Sequence, residues 1–328
     1  MTIVGGMNLR TAAAALALGL GLAALSLPSL AEEIAPPEGS TPVVGMAPDP
    51  QSDGLWLAGP SADDGVILHS ADGREVTFGG DPLSVQALAW SGDRLWIADI
   101  GDEPAERESV VVFRLGSVAG GRSTYHAFDF QYDDGPRDAK AMMISGRGRI
   151  YIATTGDDPG IYRAPLEPSR QDLNTLTRVT DAPDGVTDGA FLSDGATMAL
   201  RTAAGIEYID AFTWETLATD TIVGGAESES IAVGSDDTVY VGGNPSIRVV
   251  EVATSDVTTS LPPEAEAGAS ATPSPSPTPD ATGTQAPPGE VPVEEPSDSP
   301  ARTGTMIALV LAGIVAVTAG ALTFLLKP

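Results

Sequence analysis

The 328-residue chain contains no cysteine, which removes a disulfide framework, a thiolate nucleophile, a thiolate metal site and a cysteine-borne lipid anchor. Histidine occurs only at His69 and His126. Both fall in stretches that read as third or outer strands, and neither stands at the spacing of a metal site or a catalytic triad. Lys and Arg number 17 against 45 Asp and Glu, a formal charge of −28, so nucleic acid is not an expected partner. A Gly-x-Ser-x-Gly elbow, a phosphate-cradling loop and a zinc signature are also absent. Stability without any such staple has to come from a closed sheet ring.

What the chain does have is a repeat. Gly54-Leu-Trp-Leu-Ala58, Arg94-Leu-Trp-Ile-Ala98, Arg149-Ile-Tyr-Ile-Ala153, Thr197-Met-Ala-Leu-Arg201 and Thr238-Val-Tyr-Val-Gly242 are five versions of one strand. Their equivalent residues Leu55, Leu95, Ile150, Met198 and Val239 are 40, 55, 48 and 41 positions apart. Each copy divides into four strands by period-2 alternation, with a Gly- or Asp-bearing tight turn between the first two, as at Ser91-Gly-Asp93 and Ser193-Asp-Gly195. Four short strands per copy of this length predict an all-β fold, a β-propeller. The repeats predict five four-stranded blades; a six-bladed ring needs a further blade between Ser117 and Lys140. The first inner strand is expected at Pro42–Gly45, and Val257–Thr259 as the outer strand of the fifth blade. Trp56, Trp96, Tyr151 and Tyr240 recur at one blade position, where packing between blades explains them.

Composition sets the organisation around that domain. Residues 1–31 read as a signal peptide, with Arg10 before an apolar run and Ser29-Leu-Ala31 as the cleavage site, an uncleaved anchor being the alternative. The propeller occupies 40–260, and 261–302 is a Pro/Ser/Thr-rich linker unable to bury a core. Residues 303–326 are uncharged and long enough as a helix to span a bilayer, and 327–328 form a cytoplasmic tail. The expected location is therefore the cell membrane, single-pass, with the propeller outside the cell.

In a four-stranded blade the loop leading into the innermost strand and the loop between strands two and three open on one face. Residues on those loops converge at one mouth of the channel: Asp102, Arg107, Arg137, Asp138, Asp188 and Glu229. Asp138, Asp188 and Glu229 occupy matching places in three successive blades, and such oxygens suit calcium, a hard ion with six to eight ligands. Asp in loops equally caps turns by accepting backbone N–H groups. Arg107, Arg137, Lys140 and Arg201 suit an anionic ligand or neutralise the acidic cluster.

Ala98–Arg107, Pro136–Lys140 and Thr187–Phe191 together resemble motifs of secreted actinobacterial propeller proteins described as WD40-like or phytase-like, over roughly residues 50–255. Glu103 stands where Asn is usual, and Lys140 where Glu is usual, which takes a carboxylate out of the mouth. The resemblance implies a fold and an address rather than a reaction. The resulting expectation is a membrane-held binding or scaffolding module that takes a protein partner or a small ligand at the mouth. The competing expectation is a calcium-dependent hydrolase of phosphoesters or related substrates.

Overall fold

The alternation of apolar and polar residues places strands along nearly the whole described chain, residues 33–224 and 230–261 of a computed structural model. The signal-peptide, linker and membrane-span expectations, and Glu229, lie outside these residues. A short β1 (Glu33–Ile34) comes first. Next come β2 (Gly45–Pro48), β3 (Leu55–Ala58), β4 (Val66–His69) and β5 (Glu75–Thr77). The second run is β6 (Val85–Ser91), β7 (Arg94–Asp99), β8 (Val110–Leu115) and β10 (Tyr125–Tyr132), with β9 (Gly121–Arg122) in the loop before β10. The third is β11 (Ala139–Ile144), β12 (Ile150–Thr154), β13 (Gly160–Arg163) and β14 (Asn174–Asp181). The fourth is β15 (Val186–Phe191), β16 (Thr197–Thr202), β17 (Gly205–Asp210) and β18 (Thr216–Val223). The last is β19 (Ser230–Val233), β20 (Val239–Gly242) and β21 (Ile247–Val250), followed by β22 (Val257–Ser260). The one helical turn among the described residues is Pro60–Ala62.

Within each run, successive strands pair antiparallel in chain order. Their first strands pack on one another in the sequence β2, β6, β11, β15, β19 and back to β2, so the units surround a common axis. At the rim, parallel pairs tie neighbouring units: Val76 of β5 with Gly121 of β9, Phe130 of β10 with Asn174 of β14, and Asp220 of β18 with Val257 of β22. The core is divided among the spaces between units. Trp56, Ile67, Val76, Leu88, Ile97 and Phe113 fill the gap between the first two, and Met143, Ile161, Met198 and Leu200 the gap between the third and fourth. An arrangement of repeated sheets buries both faces of each sheet and leaves only short edges.

Two strand assignments are corrected. The innermost strand of the first unit is Gly45–Pro48 rather than Pro42–Gly45. Val43 and Val44 instead bridge units: Val43 N–H donates to the Gly243 carbonyl of the last unit (3.2 Å) and Val44 N–H to the Ala58 carbonyl of the first (2.8 Å). Val257–Ser260 is not the outer strand of the last unit; it pairs with β18 of the fourth. The outer place on β21 goes to β1, with Glu33 opposite Arg248 and Ile34 opposite Ile247. Burial explains the exchange. Ile34 packs on the cluster of Val43, Met46, Leu57 and Ile247, whereas Val257 stays 42% exposed. The N-terminal segment therefore completes the unit built from the C-terminal strands. The long Ser117–Lys140 interval holds β9, which reaches back to β5 of the first unit, and β10.

Candidate functional site: two ends of the ring axis

Every innermost strand runs from its leading loop toward its tight turn, so the axis has a leading-loop end and a hairpin end. Of the expected site residues, Asp102, Arg107, Arg137, Asp138 and Asp188 are described; they lie at the leading-loop end and are engaged with the protein itself. The Asp138 Oδ1 accepts the Asp102 backbone N–H at 2.8 Å, tying the third unit to the second, and its Oδ2 lies 3.3 Å from the Lys140 ammonium. The Asp102 Oδ2 accepts the Arg107 N–H at 2.7 Å. Arg107 in turn makes a two-pronged pair with the buried Asp99 carboxylate, both bonds 3.0 Å, and donates to the Gly101 carbonyl. Such a fork is the geometry that guanidinium and carboxylate favour.

Asp188 is 1% exposed, and its two oxygens accept the Gly189 N–H (2.8 Å) and the Ile231 N–H (2.9 Å), which joins the fourth unit to the last. Burial pushes this carboxyl well above the usual carboxylate range, against the opposing pull of those two N–H groups. Arg137 lies farther out, paired with Asp134 (2.8 Å) and Asp158 (3.3 Å). Arg201 is buried and donates to the Thr202 and Gly205 carbonyls. Two further ties complete the pattern: Asp63 Oδ1 accepts the Val85 N–H (2.7 Å) between the first two units, and the Ser230 hydroxyl donates to the Val43 carbonyl (2.8 Å) between the last and first. The inner strands are also close-packed here. A Cβ on Gly45 would sit 2.6 Å from the Ala87 Cα, so only glycine lets β2 approach β6. Among the described residues, no group of three or more His, Asp or Glu side chains is placed to hold a metal ion.

The hairpin end differs. A cavity of about 800 Å³ opens there, with walls from β2, β6, β11, β15 and β19: Met46, Leu88, Met142, Met143, Gly189 and Ala232 among them. Its rim is made by the turns that follow those strands, including Asp53, Gly92, Gly146, Gly195 and Asp236. None of Asp102, Arg107, Arg137, Asp138 and Asp188 contributes to it. Trp90, Phe191 and Tyr240 supply aromatic faces, so Tyr240 has a place in the cavity wall beyond packing between units. The turns brace one another: Gly146 N–H reaches the Gly195 carbonyl (3.4 Å), and Ser193 donates to the Asp237 carboxylate through N–H (2.7 Å) and hydroxyl (2.8 Å). The volume falls within the range of small-molecule sites. The β13–β14 and β17–β18 loops expose Leu166, Leu173 and Phe212.

His69, which the sequence leaves without a triad partner, has two. Its Nδ1 lies 2.8 Å from Asp72 Oδ1 and its Nε2 3.4 Å from the Ser52 hydroxyl, the order of atoms in a nucleophile–base–acid relay. The spacing is hidden in sequence because Ser52 sits in the β2–β3 turn and Asp72 in the β4–β5 turn. The Ser52 hydroxyl has one proton, and its nearer acceptor is the Asp49 Oδ2 at 2.8 Å. Asp49 also accepts the Trp56 indole N–H (3.3 Å), and Arg74 lies 3.5 Å from its carboxylate and over the Trp56 ring. Ser52 is thus held by a carboxylate rather than primed by the imidazole, and the cluster clamps the first unit's turns together.

No family model matches the chain, and no curated protein matches it. Solved structures with similar shape include streptogramin B lyase (15% identity, 68% of this chain and 73% of that one, TM-score 0.40). A gluconolactonase from Xanthomonas campestris is similar at 14% identity over 62% of this chain and 71% of that one, with a TM-score of 0.41. The PQQ-bound aldose sugar dehydrogenase from Streptomyces coelicolor is similar at 11% identity over 68% of this chain and 97% of that one, with a TM-score of 0.41.

Proposed function

We propose that the protein is a five-bladed propeller that binds a small ligand in the cavity at the hairpin end of its axis, displayed outside the cell from a membrane span at 303–326 through the 261–302 spacer. The observation that carries this reading is the contrast between the two ends. A cavity of about 800 Å³ with mixed apolar and polar walls opens where the turns diverge, while the described site residues of the opposite end are occupied by backbone N–H groups and by neighbouring side chains. Concave, mostly apolar sites with a few polar groups at the rim are where small molecules bind. The last described strand ends away from the cavity. β22 runs parallel to β18 and therefore ends at the leading-loop end, where the Leu261 N–H donates to Val223. A binding role also accords with Ser52 being held by Asp49 rather than by His69.

The test uses methionine methyl groups as reporters in the full chain. Met46, Met142 and Met143 border the cavity, while Met198, packed beside Met143 between the third and fourth units, has no place in its lining. With methyl-labelled methionine, millimolar benzyl alcohol is expected to shift the first three resonances and leave Met198 in place. Unmoved cavity methyls, or equal movement of all four, would count against the site.

A further inference from the structure

The lining of the cavity at the hairpin end contains three carboxylates, Asp49, Asp53 and Asp236, and no Lys, Arg or His. Asp49 is partly neutralised by Arg74 at 3.5 Å. Asp53 and Asp236 stand exposed on the rim, and the Thr238 backbone N–H holds Asp236 below the usual carboxylate range, so its charge is present at any physiological pH. Below them Trp90, Phe191 and Tyr240, each only partly buried, border the cavity with aromatic side chains. A ring face attracts a cation through its quadrupole, and carboxylates at the mouth concentrate cations from solution. An anionic ligand finds no basic side chain in this lining, on a chain that already carries a formal charge of −28.

Resting on the small-ligand reading of this cavity, we infer that its ligand class is the organic cation: an ammonium or alkylated ammonium group on an apolar, ring-sized body. The cationic head sits at the rim between Asp53 and Asp236, and the body enters beside the aromatic side chains. Proteins of the opposite charge preference would place Arg or Lys at these turn positions; here the basic turn residue Arg147 points its guanidinium over the Phe212 ring, 5.7 Å away, outside the lining.

Two molecules of one shape separate this inference from the reading it rests on. (3-Hydroxyphenyl)trimethylammonium and 3-tert-butylphenol differ by a nitrogen for a carbon, and so by one positive charge. Titrated into the full chain and followed by the methionine methyls, the ammonium is expected to bind at least about tenfold more tightly. Its advantage should shrink as salt is raised from about 20 to 500 mM, because the rim carboxylates face solvent. A double variant, Asp53→Asn with Asp236→Asn, should retain the phenol affinity and lose most of the ammonium preference. Equal affinity of the two probes in the unchanged protein would overturn the cation inference while leaving the cavity reading in place. Failure of both probes to move Met46, Met142 and Met143 would overturn the cavity reading itself.

Discussion

The two ends of the ring axis are built from the same inventory, carboxylates in loops beside glycine, and do different things with it. At the leading-loop end Asp63, Asp138 and Asp188 each accept a backbone N–H from a neighbouring unit, and the inner strands close up around glycine and alanine. At the hairpin end the acceptors mostly serve their own or the adjacent turn, as with Asp194 and Thr197, and the strands leave a cavity between them. A carboxylate that satisfies a buried donor is structural, because losing it strands that donor; one that faces solvent over a cavity is free to meet a ligand. The difference between ends thus lies in where each carboxylate's partner resides, not in residue type.

The largest effect should come from Asp188→Ala, which strands the Ile231 and Gly189 N–H groups between the fourth and last units. A loss of about 3 kcal/mol in urea unfolding is expected, at about 1–3 kcal/mol for each buried unsatisfied donor. A loss under about 0.5 kcal/mol would erase the proposed contrast. Asp138→Ala follows at about 1–2 kcal/mol, since it frees one N–H, that of Asp102, in a less buried place.

The pH response sharpens the comparison further. Burial raises the Asp188 pKa in the fold above its ordinary value near 3.8, so above that pH the folded state binds more protons than the unfolded one. The contribution of this group is therefore complete below about pH 4 and declines as pH rises toward the folded value. Unfolding curves from pH 4 upward should show the advantage of the native protein over Asp188→Asn shrinking with pH. An advantage that grows with pH would show a carboxylate stabilised in its charged form. Least of all should Asp53→Asn or Asp236→Asn matter: the urea midpoint is expected to stay where it is, because both side chains face solvent.

Much of the scaffold was legible because each strand carries its own alternation and each tight turn its glycine or aspartate. Val85–Ser91, Arg94–Asp99 and Thr197–Thr202 could be placed from local pattern alone. Ring closure was not, since nothing near Glu33–Ile34 signals that it pairs with Ile247, more than two hundred residues away. The candidate site followed the same division. Which loops share an end of the axis follows from strand parity, and Asp102, Asp138 and Asp188 do lie at one end. Whether a loop carboxylate meets a ligand or a backbone N–H from a neighbouring unit depends on angles between units, which no local pattern encodes. The Ser52–His69–Asp72 relay and its capture by Asp49 were invisible for that reason too, because they join two turns of one unit across its strands. The one signal that could have pointed to the cavity was an aromatic residue at the turn end of an innermost strand, Trp90 in β6 and Phe191 in β15.

The absence of native cysteine allows one direct measurement of which end is open. Two single-cysteine variants of the full chain, Ala190→Cys in the cavity wall and Ala139→Cys in the buried start of β11, would be treated with iodoacetamide under native conditions. The thiol at 190 should react within about tenfold of a free thiol's rate, slowed by (3-hydroxyphenyl)trimethylammonium, while the thiol at 139 should stay unmodified until the protein is unfolded. Rapid modification at 139 together with protection at 190 would contradict the account.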